Sequence, residues 1–199
     1  MMGTLALARP VGGRIVRLTL AEAVHGCDTA AVSWSLFVVP LDGLSQDGMS
    51  DWIASAEFTR GIPEQVPQAL PRPSVAEVLD AFEAAGCHGT NWFEVVGEDA
   101  GSRLPECPSP GTCASTGGLD LGEVSVYSSG ETSSQPAVLA DAAVETVAFR
   151  KPNPVAVLRA VCALASYAGP QLVFDESADQ AFAVWPGEAA GELEDDWPW

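Results

Sequence analysis

The sequence predicts an α+β protein: a mixed, mainly antiparallel sheet packed by two principal helices, at about 74–85 and 154–168. Three observations predict it. Short segments with a period of two recur along the chain, each bounded by glycine or proline. Two segments carry complete helix start and stop signals. Apolar residues make up 47% of the 199 residues, enough to bury a sizeable core and too many for a disordered acidic chain.

The elements follow in order. Arg14–Leu20 reads as a strand, preceded by Gly12-Gly13, which is too short to cradle a phosphate and reads as a turn. Ala31–Val39 is a second strand, with Val32, Trp34, Leu36 and Val38 on one face. Phe37 and Val39 make its far end apolar on both faces, so that end should be covered. Pro40-Leu41-Asp42-Gly43 ends it with turn chemistry. Trp52–Thr59 reads as a weak strand, or as a short helix giving way to one. Gly61–Pro73 holds four prolines and is an extended connector.

Ser74-Val75-Ala76-Glu77 is a capping box: a serine hydroxyl and a glutamate three residues on satisfy each other's orphan N–H groups. Val75, Val78, Leu79 and Phe82 then fall at helical spacing, with Glu77, Asp80 and Glu83 opposite them and Gly86 at the stop. A strand at Asn91–Val96 follows. Gly97–Gly118 is a loop rich in glycine, proline and serine, long enough to suggest a functional role. Leu121–Tyr127 and Val144–Arg150 read as strands with polar turn material at Ser128–Pro136 between. Asn153-Pro154 starts the second helix, and Gly169-Pro170 ends it. This helix is apolar nearly all round, with Arg159 its only charge, so it needs cover on most sides. Gln171–Phe174 and Ala181–Trp185 read as a hairpin across the acidic turn Asp175–Asp179. The acidic tail Gly187–Trp199 ends in Trp197-Pro198-Trp199.

A strand, a proline-flanked cap, a helix, a glycine stop and a further strand occur twice, around 55–96 and 144–174. The single domain of residues 1–199 therefore has an alternative: two related α/β halves, about 1–97 and 119–186, joined by loop 98–118 and followed by the tail 187–199.

Charge separates the function classes. Nine basic residues face 27 acidic ones, a net charge of −18. Residues 1–21 sum to +3 and residues 22–199 to −21, with no base between Arg103 and Arg150 or after Arg159. Such a field repels nucleic acid and anionic membrane and attracts basic partners. The N-terminus lacks the basic residues and unbroken apolar run of a secretory signal, and no stretch approaches the roughly 20 apolar residues of a membrane span. A cytoplasmic protein is expected. The five cysteines, an odd number, are expected as free thiols.

No local motif carries catalysis, and no cofactor or metal is expected. His25-Gly26-Cys27 and Cys87-His88 offer two nitrogens and two sulfurs, but neither pair has the gap that lets a loop wrap zinc. Cys87-His88 as a thiol nucleophile needs an imidazole within hydrogen-bond reach, which sequence neighbours seldom achieve. Cys107 and Cys113 are spaced to close a small disulfide, and in a reducing compartment they stay as thiols. Asp175, Glu176 and Asp179 lack the ligand ladder of a calcium loop.

Three function classes follow. The first is an acidic protein-binding inhibitor, similar in logic to an immunity protein or antitoxin, which neutralises a basic toxin or nuclease. Its binding candidates are Glu77, Asp80 and Glu83 on the first helix, with Glu192, Glu194, Asp195, Asp196, Trp197 and Trp199 in the tail. The second is an assembly module that forms homo-oligomers through helix 154–168 and the tail. The third is an enzyme with a His/Cys site assembled from distant positions around loop 97–118.

Overall fold

In the computed structural model, residues 8–11, 14–17, 34–45, 49–96, 104–128 and 137–199 are described. The expected features at 12–13, 18–33, 97–103 and 129–136, including the Gly12-Gly13 turn, His25 and Cys27, lie outside them. The chain divides into two compact units, residues 1–32 and 33–199. In the first, β1 (Ala8–Val11) pairs antiparallel with β2 (Arg14–Arg17), Val11 opposite Arg14.

The second unit is an α+β fold around a seven-stranded mixed sheet. Its strands are β3 (Ser35–Pro40), β4 (Phe58–Arg60), β5 (His88–Asn91), β7 (Asp120–Ser128), β9 (Val144–Arg150), β10 (Gln171–Asp175) and β11 (Gln180–Val184). Their order is β4-β11-β10-β3-β9-β7-β5. The four inner pairings are antiparallel, and the two edge strands, β4 and β5, join in parallel. A separate parallel pair joins β6 (Glu94–Val96) to β8 (Ala137–Leu139). Strands from residues 35–91 and strands from residues 120–184 interleave in this one sheet.

The register explains the core. Phe182, Val173, Val38, Val147 and Val126 lie opposite one another in turn across five strands. Side chains alternate along a strand, so this whole row points to one face. That face is covered by α2 (Val75–Ala84), α3 (Pro154–Ala168) and the short α4 (Ala190–Leu193), which form one large buried cluster with it. The opposite face is apolar over β3, β10 and β11, where Phe37, Val39, Leu172, Phe174, Ala181 and Ala183 meet a 3-10 turn at Leu41–Ser45 and α1 (Met49–Ser55). The apolar far end of β3 is thus covered on both sides, as its sequence requires.

Both principal helices start and stop at their signals. The Ser74 hydroxyl accepts from Glu77 N–H, and Glu77 accepts from Ser74 N–H at 2.7 Å, completing the capping box. Gly86, at φ +76°, supplies the left-handed residue that lets Cys87 N–H reach back to the Phe82 carbonyl at 3.0 Å. Asn153 Oδ1 accepts from Val155 N–H at 3.0 Å ahead of Pro154, the first helical residue of α3. Eight residues of α3 are buried, from Ala156 to Ala165, against α2, α4 and the sheet. The cover this apolar helix requires comes from within its own chain. Trp52–Thr59 resolves as a helix followed by a strand, while β8 and α4 had no clear period to mark them. No helix among the described residues is long and apolar enough to cross a membrane.

Candidate functional site

Two features of the second unit bear on function: the acidic surface with its tail, and a thiol–imidazole cluster under the long loop.

On α2, Asp80 and Glu83 are exposed on the outer face. Glu77 is engaged instead. One carboxylate oxygen accepts from the Ser74 N–H and hydroxyl at 2.7 and 2.8 Å, and the other accepts from the Tyr167 hydroxyl. These bonds to the ionised form hold Glu77 below the usual carboxylate range, with the Ser74 backbone bond the strongest cause.

The tail packs on its own chain. Leu193 is buried, and Trp197 lies edge-on to Phe182 at 4.9 Å and to Trp199 at 4.7 Å. Arg60 on β4 fixes it further. Its guanidinium sits over the Phe182 ring, donates to Glu188 at 2.8 Å and lies 3.7 Å from Asp196. The aromatic residues of the tail therefore point inward, while Glu192, Glu194, Asp195 and Asp196 are exposed. Of these four, only Asp196 has an ion-pair partner among the described residues.

The second feature falls at the loop where the sequence suggests a His/Cys site from distant positions, but its members are not the ones the sequence pairs. Cys87 and His88 are adjacent, yet strand alternation sends them apart. The Cys87 thiol enters the main core and contacts the Ala156 carbonyl at 3.6 Å. Burial pushes it up to about 11, well away from nucleophilic use. His88 turns the other way, is buried, and places Nε2 3.1 Å from Cys113 Sγ. Cys107 completes the group, with one ligating atom from each residue within 4.8 Å of the others.

The loop is built to bring these atoms together. Ser109 accepts from the N–H groups of Thr112 and Cys113 at 3.0 and 2.9 Å, which folds the chain back so that Cys113 returns to Cys107. A 3-10 turn at Cys113–Thr116 follows. Gly118 passes so close that a Cβ there would lie 2.2 Å from Cys113 Sγ, so any side chain at this position would force the thiol to shift. His88 N–H bonds the Leu119 carbonyl at 3.0 Å, and Gly89 N–H bonds Pro105 at 3.3 Å. Asn153 ties the loop to α3: the same side chain that caps the helix donates to the Gly118 carbonyl at 2.8 Å. The Cys113 thiol is held above its ordinary value, first by burial, then by its contact with Cys107 and the charge of Asp120.

Cys87, Cys107, Cys113 and Cys162 are all free thiols. Two shallow surface concavities, one beside Pro40, Leu70 and Pro170 and one beside Val38, Val144 and Gln171, are lined by no histidine or cysteine.

No protein family matches the chain, and neither a curated protein nor a solved structure is similar to it. Function is read from the chain's own surface and side chains.

Proposed function

We propose that the protein is an acidic protein-binding inhibitor of the cytoplasm, immunity- or antitoxin-like, that neutralises a basic partner such as a toxin or nuclease. One observation carries the reading. Asp80, Glu83, Glu192, Glu194 and Asp195 are exposed and have no ion-pair partner among the described residues. They stand on a capped helix and on a tail anchored by Leu193 and Trp197, so little ordering cost is left for binding. The body's net charge of −21 steers a basic partner toward them. Four free thiols suit a reducing compartment. Trp197 acts from inside, as the anchor that presents the carboxylates, and half-buried Trp199 sits beside it.

The test is a five-fold charge-neutralised variant, with Asp80, Asp195→Asn and Glu83, Glu192, Glu194→Gln. Each site is exposed, so stability should change by about 0.5 kcal/mol or less per site. Wild-type protein is used as bait, and the captured basic protein is purified and mixed in stopped flow. Its association rate should fall at least about 10-fold between low and physiological salt, and about 10-fold again in the variant. A rate indifferent to both salt and neutralisation defeats the proposal.

A further inference from the structure

We propose that His88, Cys107 and Cys113 form a binding site for a thiophilic divalent cation, zinc first, with a fourth position left open. The site is independent of the acidic surface.

Donor chemistry comes first. Two thiols and one imidazole are the mixed sulfur–nitrogen set that suits zinc rather than magnesium or calcium, which take oxygen ligands. Geometry comes second. With Zn–S near 2.3 Å and Zn–N near 2.0 Å, tetrahedral ligands stand roughly 3.5–3.8 Å from one another. The His88 Nε2 and Cys113 Sγ atoms are 3.1 Å apart, and all three ligating atoms fall within 4.8 Å. Small side-chain adjustments bring them onto one ion.

The third argument is the scaffold. His88 comes from the first residue of β5, paired in register with Asp120 of β7, so its backbone is fixed by the sheet. The cysteines come from a loop closed by the Ser109 turn, by Gly118 against Cys113 Sγ, and by Asn153 against the Gly118 carbonyl. Access is the fourth. His88 and Cys113 are buried, whereas Cys107 is half-exposed, so an ion enters from the Cys107 side. On binding, both thiol protons leave to solvent and the thiolates close on the cation; no electron moves. Three protein ligands leave one tetrahedral position for water or for a donor from a partner.

The same two thiols offer a competing fate, a Cys107–Cys113 disulfide. The experiment separates the two. Full-length protein is reduced, stripped with chelator and titrated with cobalt(II) as the spectroscopic probe, then with zinc against a competing chelator. One cobalt per chain with thiolate charge-transfer bands and intense tetrahedral visible bands, displaced by zinc, is expected. Cys107→Ser should weaken zinc binding by more than about 100-fold, beyond the roughly 10–100-fold of an outer-shell loss. This position is half-exposed, so the variant should fold, which circular dichroism checks. Cys162→Ser, distant from the cluster, should bind as wild type. For the wild type, zinc should protect Cys107 and Cys113 from alkylation read by mass spectrometry and leave the slow rates at buried Cys87 and Cys162 unchanged. Three results overturn the proposal: no stoichiometric cobalt or zinc binding by the reduced, folded chain; binding unchanged in Cys107→Ser; or disulfide formation on mild oxidation that proceeds equally fast with zinc present.

Discussion

The C-terminal tail and the loop at 104–118 are both poor in regular structure and both fold back on the body, but they are held by opposite means. The tail is held by apolar burial. Leu193 and Trp197 pack into the main core, Arg60 clamps the segment from outside, and the carboxylates are left facing solvent. The loop is anchored at its start by Leu104, buried in the main core, and beyond that is held by hydrogen bonds: the Ser109 turn, the Pro105 and Leu119 contacts to β5, and the Asn153–Gly118 bond. Its chemistry-bearing atoms face inward, in the His88–Cys107–Cys113 cluster. A segment fastened by its apolar side chains leaves its polar ones free for a partner. A segment fastened through its backbone can gather its polar side chains around a point. This difference suggests a surface role for the tail and a ligand role for the loop.

The largest break in this comparison comes from Trp197→Ala. It removes the ring packed on Phe182 and Trp199, and unfolding in denaturant should show a loss of about 3–5 kcal/mol. Trp197→Phe should cost less, about 1–2 kcal/mol, because a phenyl ring fills part of the indole's space and the change removes an indole N–H that has no acceptor among the described residues. Equal losses in the two variants would mean that apolar packing is not what holds the tail.

A smaller effect is expected from Asn153→Ala, which cuts the loop's tie and the α3 cap together. Stability should fall by about 1 kcal/mol. Amide exchange should quicken around Gly118 while the tail amides stay as protected as in wild type. Faster exchange in the tail would show that the two segments are not separately fastened.

The smallest effect is invisible at neutral pH and appears in alkali. Cys162, near the Arg60–Glu188 pair beneath the tail, and Cys87, against α3, are both pushed by burial from 9.0 to about 11. Above pH 9 the unfolded chain gives up thiol protons that the fold retains. Stability contributed by these thiols is therefore full below about pH 9 and is lost as the pH rises toward 11. At pH 9, alkylation should reach half-exposed Cys107 before Cys87 and Cys162, and Trp197→Ala should speed Cys162 alone. Uniform rates among the thiols of the wild type would contradict the burial described.

Legibility from sequence followed the range of the physics. The ends of α2 and α3, the span of β9 and the hairpin of β10 and β11 were all readable, because caps, glycine stops and a period of two are local. The acidic residues of the surface were readable as residue types, but the part played by each was not. Glu77 spends its oxygens on Ser74 and Tyr167, the latter 90 positions away. The cluster was hidden for a similar reason. Sequence grouped His88 with its neighbour Cys87 and paired Cys107 with Cys113. Only the strand's alternation and a loop returning across 25 residues put His88 against Cys113.

By itself, then, the sequence determined an acidic α+β chain with two capped helices, free thiols and a long loop, since each of these follows from composition or from contacts within a few residues. The tertiary structure alone decided that β3 lies between β10 and β9, that α3 is covered from within, that the tail's tryptophans turn inward, and that one histidine meets two cysteines. Each of those depends on which distant segments pair and pack, and that choice is made by burial summed over the whole core rather than by any short stretch of residues.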